Sequence, residues 1–256
     1  MKTYGILVIS HGSQEPRWVK LVDEAVKAAA AGFTVPVVSA FLEIVDGRLI
    51  QDGINELESL GVTDMLVVPL FISSGSTHVD EIGGAFGLPQ LSEAENELGV
   101  FRVSANVFFG APIDDDPEIA ELLLSNIAEL SQDPSREALL LIGHGSIEPG
   151  FHERWSQGLQ DMAARLSAMS AFARVSYAML LPDQAMSVLR ELKEKNPEED
   201  VIVVPLFLSQ GYFTDKVIPK RLSGADYRYN GKAMLPNPAI ERWLERQFRE
   251  WLSPRV

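Results

Sequence analysis

The chain has 256 residues, 46% of them hydrophobic, which is enough for one large α/β domain or two linked ones. A net charge of −14 argues against nucleic acid as a partner, because phosphate binding needs clustered Lys and Arg. Cysteine is absent, which excludes disulfides, thiolate metal sites and cysteine-held iron–sulfur clusters. With no apolar run of about 18 residues, no membrane partner is expected.

The opening MKTYGILVIS runs straight into His-Gly-Ser without a small-residue cleavage pattern. It reads as a buried first strand rather than a signal peptide, in keeping with a cytoplasmic protein. In chain order, strands are predicted at 4–10, 35–42, 64–72 and 100–107, and helices at 16–31, 47–60, 79–98 and 117–131. Asp114-Asp-Asp-Pro117 reads as an N-cap cluster entering the last of these helices. The second half repeats the strand pattern near 138–143, 172–180, 200–208 and 232–235, and closes with an amphipathic helix near 238–252. The strands are apolar throughout rather than alternating, as strands are when helices cover both faces of a parallel, doubly wound sheet.

The two halves also match in words. Tyr4–Ser10 followed by His11-Gly12-Ser13 corresponds to Ala138–Gly143 followed by His144-Gly145-Ser146. Leu66-Val-Val-Pro-Leu-Phe-Ile-Ser73 corresponds to Ile202-Val-Val-Pro-Leu-Phe-Leu-Ser209. The offsets of 133 and 136 residues mark a tandem duplication. The expected domains are 1–131, carrying the active site, and 136–256, a degenerate repeat completing a cleft, with Gln132–Ser135 as linker. Charge divides unevenly: residues 1–130 hold 6 basic and 20 acidic residues, and the remainder holds 16 of each.

In open α/β sheets ligands sit at the carboxyl ends of strands. His11 follows the first strand, Glu43 the second, and His78 lies in the predicted loop after the third. Two imidazoles and a carboxylate can bind a borderline divalent metal, and they can also accept protons near neutral pH. Each histidine taken singly could equally satisfy backbone groups at a strand–helix turn. Around them, Ser10, Gly12 and Ser13, and the small-residue run Ser74, Gly75, Ser76 and Thr77, offer hydroxyls and close backbone approach. They read either as lining for a ligand or as turn and cap residues.

The second half acts as an internal control. The segment aligned with Phe41-Leu42-Glu43 is Ala178-Met179-Leu180, and the position matching His78 by offset is Thr214. His144 is therefore expected to be structural, and His152, with no counterpart, to be a surface residue. Lys216, Lys220, Arg221, Arg228 and Lys232 form a basic group that could meet an acidic substrate or simply be solvated. A hydrolase or phosphatase using His11 would require an Arg-rich pocket near the first strand, where only Arg17 lies close.

His-Gly-Ser after a first strand, Phe-Leu-Glu ending a second, and Val-Pro-Leu-Phe with a small-residue loop and His after a third resemble the CbiX/SirB family of sirohydrochlorin chelatases. The resemblance spans the chain, since long members of that family are also fused repeats. It implies two chelatase-like, flavodoxin-resembling domains and ATP-independent insertion of Co2+ or Fe2+ into sirohydrochlorin, for cobalamin or siroheme synthesis. It further implies catalysis by His11, Glu43 and His78, with the same three as metal ligands. On this resemblance the metal is a substrate, no cofactor is permanently bound, and the chain works as a monomer with internal pseudo-twofold symmetry. Nickel insertion, or metal and tetrapyrrole carriage without catalysis, are the alternatives. Some long cobalt-inserting members carry a histidine-rich stretch and a cysteine-held cluster; this chain has neither, which weakens the case for cobalt against iron or nickel. The only Gly-Lys pair, Gly231-Lys232, is followed by Ala233, so no Walker A phosphate loop is present.

Overall fold

A computed structural model describes residues 2–93 and 95–255. The first half runs β1 (Tyr4–Ser10), α1 (Pro16–Ala30), β2 (Val37–Phe41), α2 (Ile50–Ser59), β3 (Asp64–Pro69), α3 (Thr77–Ala85), β4 (Asn106–Phe109) and α4 (Pro117–Ile127). The second half runs β5 (Glu137–Gly145), α5 (Phe151–Met169), β6 (Arg174–Leu181), α6 (Ala185–Lys195), β7 (Asp200–Pro205), α7 (Ile218–Arg221) and α8 (Pro238–Leu252). One sheet has the order β2–β1–β3–β4 and the other β6–β5–β7, with every pairing parallel.

Two compact units result. The first contains the chain up to Phe71, Thr77–Pro112 and everything from Pro236 onward; the second contains Ile72–Ser76 and Ile113–Leu235. The units thus depart from the expected division at 131–136, because each repeat's last helix packs in the other unit. In the first unit α8 buries Trp243, Leu244, Phe248 and Trp251. Trp251 meets the Tyr4 ring edge-on at 5.7 Å and lies 5.7 Å from the Phe108 ring, while Phe248 meets Phe33. Leu7, Ile9 and Val67 form a core with Ile50, Ile54 and Leu57 of α2. Tyr4 and Leu7 have opposite strand parity, so α2 and α8 cover opposite faces and β1 is apolar on both. In the second unit α4 packs on α5 and β7, and the Asn126 amide donates to the Ala233 carbonyl at 2.9 Å.

Three predicted elements differ. The strand predicted at 100–107 pairs only over Asn106–Phe109. Before it, side chains of α2 take the place of a neighbouring strand: Gln51 bonds both the amide and carbonyl of Arg102, and the Glu58 carboxylate accepts from Ser104 and Ala105. The helix predicted over 79–98 stops at Ala85, since Gly87 is left-handed (φ 87°) and the Asp80 carboxylate captures the amides of Leu91 and Ser92. Near 232–235 only an isolated bridge forms, Ser209 to Leu235. The cap at Asp116, which accepts from the Glu118 amide at 3.0 Å, is as predicted.

The junction between repeats is tied by a buried carboxylate. Glu137 accepts from the Ser131 hydroxyl (2.5 Å), the amides of Gln132 (2.8 Å) and Asp133 (3.2 Å), and Arg228 (2.6 Å). Burial alone would raise its pKa, but these donors outweigh it and hold the carboxyl below its usual range. Arg228 also pairs with Asp200 and the Leu130 carbonyl. Arg228→Met should lower stability by about 2–3 kcal/mol, because it strips a partner from a buried charge that keeps its other donors. Lys232→Met removes only the exposed pair with Glu129 and should change stability by less than about 0.5 kcal/mol. Urea unfolding of both variants measures the contrast.

Candidate active site

The strand order β2–β1–β3 reverses direction at β1, so the crevice of the first sheet lies beyond the carboxyl ends of β1 and β3. His11 stands immediately past β1. The backbone of β2 keeps pairing beyond Phe41, with Leu42 N–H donating to Ser10 O (2.8 Å) and Glu43 N–H to His11 O (3.1 Å). This close approach depends on Gly12, which has φ 101° and whose added Cβ would lie 2.1 Å from the Glu43 carbonyl oxygen. It carries the Glu43 carboxylate to 3.6 Å from His11 Nδ1. The same Nδ1 lies 3.2 Å from the Gly12 carbonyl. A carbonyl can only accept, so Nδ1 carries the proton and the Nε2 lone pair is free.

His78 is the second residue of α3, not a loop residue as predicted. Its ring meets that of His11 edge-on, with centroids 4.9 Å apart and planes at 77°. Burial, and then the facing His11, hold its pKa below the usual 6.5, so the ring is neutral and its lone pair available at neutral pH. Its Nδ1 is buried with no hydrogen-bond partner, although the side chain as a whole is 42% exposed. Glu81, one helical turn on, brings Oε2 to 3.6 Å from that nitrogen. The groups therefore run Glu43, His11, His78, Glu81: two imidazoles, each flanked by a carboxylate. Among the described residues no three His, Asp or Glu side chains converge as a ready metal cage, so the expected three-ligand set is not preassembled. Glu81 escaped the sequence reading. Its signal, His-x-x-Glu on one helix face, has meaning only once 77–85 is known to be helical.

The hydroxyl and glycine candidates divide. Ser10 is fully buried with its hydroxyl unpartnered, and the Ser13 hydroxyl accepts from the Glu15 amide at 3.1 Å where α1 begins. Thr77 opens α3. Ser74, Gly75 and Ser76 belong to the second unit and are engaged in packing. Ser74 N–H donates to the Asp114 carboxylate (2.7 Å), Gly75 N–H to the Ser73 hydroxyl (3.0 Å), and Ser76 N–H to the Ser73 carbonyl (3.0 Å). A Cβ on Gly75 would lie 2.7 Å from the Trp155 amide nitrogen, so close backbone packing, not an open cavity, explains that glycine.

The second unit preserves the backbone device and replaces the chemistry. His144 Nδ1 lies 3.0 Å from the Gly145 carbonyl, and a Cβ on Gly145 would sit 2.3 Å from the Leu181 carbonyl oxygen. Leu181, rather than Leu180, is therefore the counterpart of Glu43, as the register Ser10↔Phe41 and Gly143↔Met179 also requires. The ring facing His144 is Phe213, at 5.0 Å and 80°, so Phe213 takes the place of His78. Thr214, matched by offset, is buried and bonds Gly211; the link from Ser209 to Phe213 is one residue shorter than that from Ser73 to His78, which displaces the register by one. His152, expected at the surface, is part-buried and pairs its Nδ1 with the Ser146 carbonyl at 2.9 Å. Of the basic group, Arg228 and Lys232 are paired as described and Arg221 bonds the Leu180 carbonyl, while Lys216 and Lys220 are exposed.

The family model described as CbiX matches the chain twice, over residues 5–130 and 138–250. The chain belongs to the CbiX family. A relative named "Probable sirohydrochlorin cobaltochelatase", from Halobacterium salinarum, is 37% identical over 93 residues, which is 36% of this chain and 29% of that protein. One named "Sirohydrochlorin ferrochelatase", from Priestia megaterium, is 23% identical over 217 residues, covering 83% of this chain and 76% of the relative. The structure of SirB from Bacillus subtilis with Fe3+ has a TM-score of 0.74 at 20% identity, covering 97% of this chain and 95% of that one. SirB from Bacillus subtilis subspecies spizizenii in complex with cobalt gives 0.73 at 18% identity, covering 99% and 97%. At these identities the structural likeness establishes the fold.

Gly12→Ala and Gly145→Ala impose the same collision in the two units. Each should destabilise by at least about 2 kcal/mol, from left-handed strain and overlap with a carbonyl. Only Gly12→Ala should also weaken divalent-metal binding, which isothermal titration of both variants would read.

Proposed function

We propose that this protein is a cytoplasmic, ATP-independent chelatase that inserts a divalent metal, Co2+ or Fe2+, into sirohydrochlorin. The observation that carries this reading is the edge-on pair of His11 and His78, 4.9 Å apart, whose counterpart in the other repeat is His144 with Phe213. The CbiX membership and the names of the relatives supply the substrate.

The reaction removes two pyrrole N–H protons and forms bonds from the ring nitrogens to the entering ion. His78, whose protonated form is disfavoured, suits the metal: it offers a lone pair and releases the ion to four converging nitrogens. His11 suits the protons, because the Glu43 carboxylate 3.6 Å from Nδ1 balances the charge that a proton on Nε2 brings. With both repeats in one chain, the protein acts as a monomer.

The test is anaerobic mixing with sirohydrochlorin and Co2+, Fe2+ or Ni2+, followed by absorption. The wild type should exceed the spontaneous rate. His11→Ala and His78→Ala should each lower the rate about 100-fold or more, and His144→Ala should leave it within about twofold. No acceleration with any of the metals sinks the proposal, and tight binding without acceleration points to a carrier.

A further inference from the structure

Two of the histidines share a feature that His78 lacks. His11 and His144 each set Nδ1 against the carbonyl of the next residue, Gly12 and Gly145, which fixes the proton on Nδ1 and leaves Nε2 bare. His78 sits inside a helix, where carbonyls are committed to the helical ladder, and its Nδ1 is buried without a hydrogen-bond partner. The acceptor that approaches it is the Glu81 carboxylate, with Oε2 at 3.6 Å. We infer that Glu81 is a positioning residue: its carboxylate draws the proton of His78 onto Nδ1 and thereby presents the Nε2 lone pair to the incoming metal.

The argument is one of sign. With the proton on Nε2, the bare and buried Nδ1 would face a carboxylate oxygen lone pair to lone pair. With the proton on Nδ1, the same geometry becomes a charge-assisted donor–acceptor pair. The 3.6 Å separation is just beyond hydrogen-bond reach, as such pairs commonly are before the site is occupied. Glu81 is itself anchored, since its backbone carbonyl accepts from the Asn96 amide at 2.7 Å. The carboxylate is therefore presented from a fixed helix turn. This assignment explains the tautomer of His78 whatever the substrate, and its consequence for rate rests on the chelatase reading.

The experiment is 15N NMR of the imidazole rings in the metal-free full chain, at neutral to mildly basic pH. With only four histidines, the spectrum is tractable, and the His78 signals are identified by their loss in His78→Ala. The expected wild-type state is Nδ1–H for His78. Glu81→Ala should shift His78 toward Nε2–H and leave the signals of His11 and His144 in place. Glu81→Gln, whose amide carbonyl can still accept, should restore Nδ1–H. In insertion kinetics Glu81→Ala should raise the KM for metal about 10-fold or more, with a smaller change in kcat. Nε2–H in the wild type, or an unchanged His78 tautomer in Glu81→Ala, overturns the inference. A tautomer shift in Glu81→Ala, alongside a wild type that inserts no metal, supports the role of Glu81 and rejects the chelatase reading, so the two failures are separable.

Discussion

A missing side chain organises the candidate site. Gly12 has no Cβ, and only for that reason can the end of β1 lie against the Glu43 carbonyl, at a spot where a Cβ would approach to 2.1 Å. From that approach follow the two backbone bonds that continue β2 past Phe41, the placing of the Glu43 carboxylate beside His11, and the pairing of His11 Nδ1 with the Gly12 carbonyl. The left-handed turn (φ 101°) also redirects the chain toward Pro16, where α1 starts. Backbone geometry thus sets both the position and the tautomer of one imidazole before any side-chain packing is considered.

The same device recurs at Gly145, and that recurrence separates scaffold from chemistry. Both units hold a histidine after the first strand of their sheet, with its Nδ1 on the following carbonyl and an aromatic ring edge-on at about 5 Å. In one unit that ring is His78 and the flanking strand end carries Glu43; in the other they are Phe213 and Leu181. Metal and proton chemistry need the lone pairs and charge that only the first set has. Burial of His78 bears on such chemistry, since protons compete less with a metal ion for a ring that resists protonation.

Much of this was legible in the residues. Continuous apolar strands foretold helices on both faces, the duplicated words foretold two alike sheets, and the amphipathic pattern at 238–252 matches α8 residue for residue. The failures have local causes. The backbone at Arg102–Ala105 is satisfied by Gln51 and Glu58, about fifty residues earlier, which no local pattern reveals. Counting by offset paired His78 with Thr214 because the link after the shared words is one residue shorter in the second half, Ser209 to Phe213 against Ser73 to His78. An amphipathic helix announces that it buries a face but not against which sheet, so the exchange of α4 and α8 between units was invisible. Glu81 was hidden for a related reason: its spacing from His78 matters only on a helix, and α3 was predicted to begin after His78.

The central claim is that divalent-metal chemistry is one-sided, held by His11 and His78 and absent from the matching place in the other repeat. Titration of the full chain with Co2+ under anaerobic conditions, followed by its visible absorption, tests this most directly. The account predicts one ion per chain with nitrogen and oxygen ligation, lost in the double variant His11→Ala, His78→Ala and retained in His144→Ala. Two ions per chain, or an unchanged spectrum in the double variant, would contradict it.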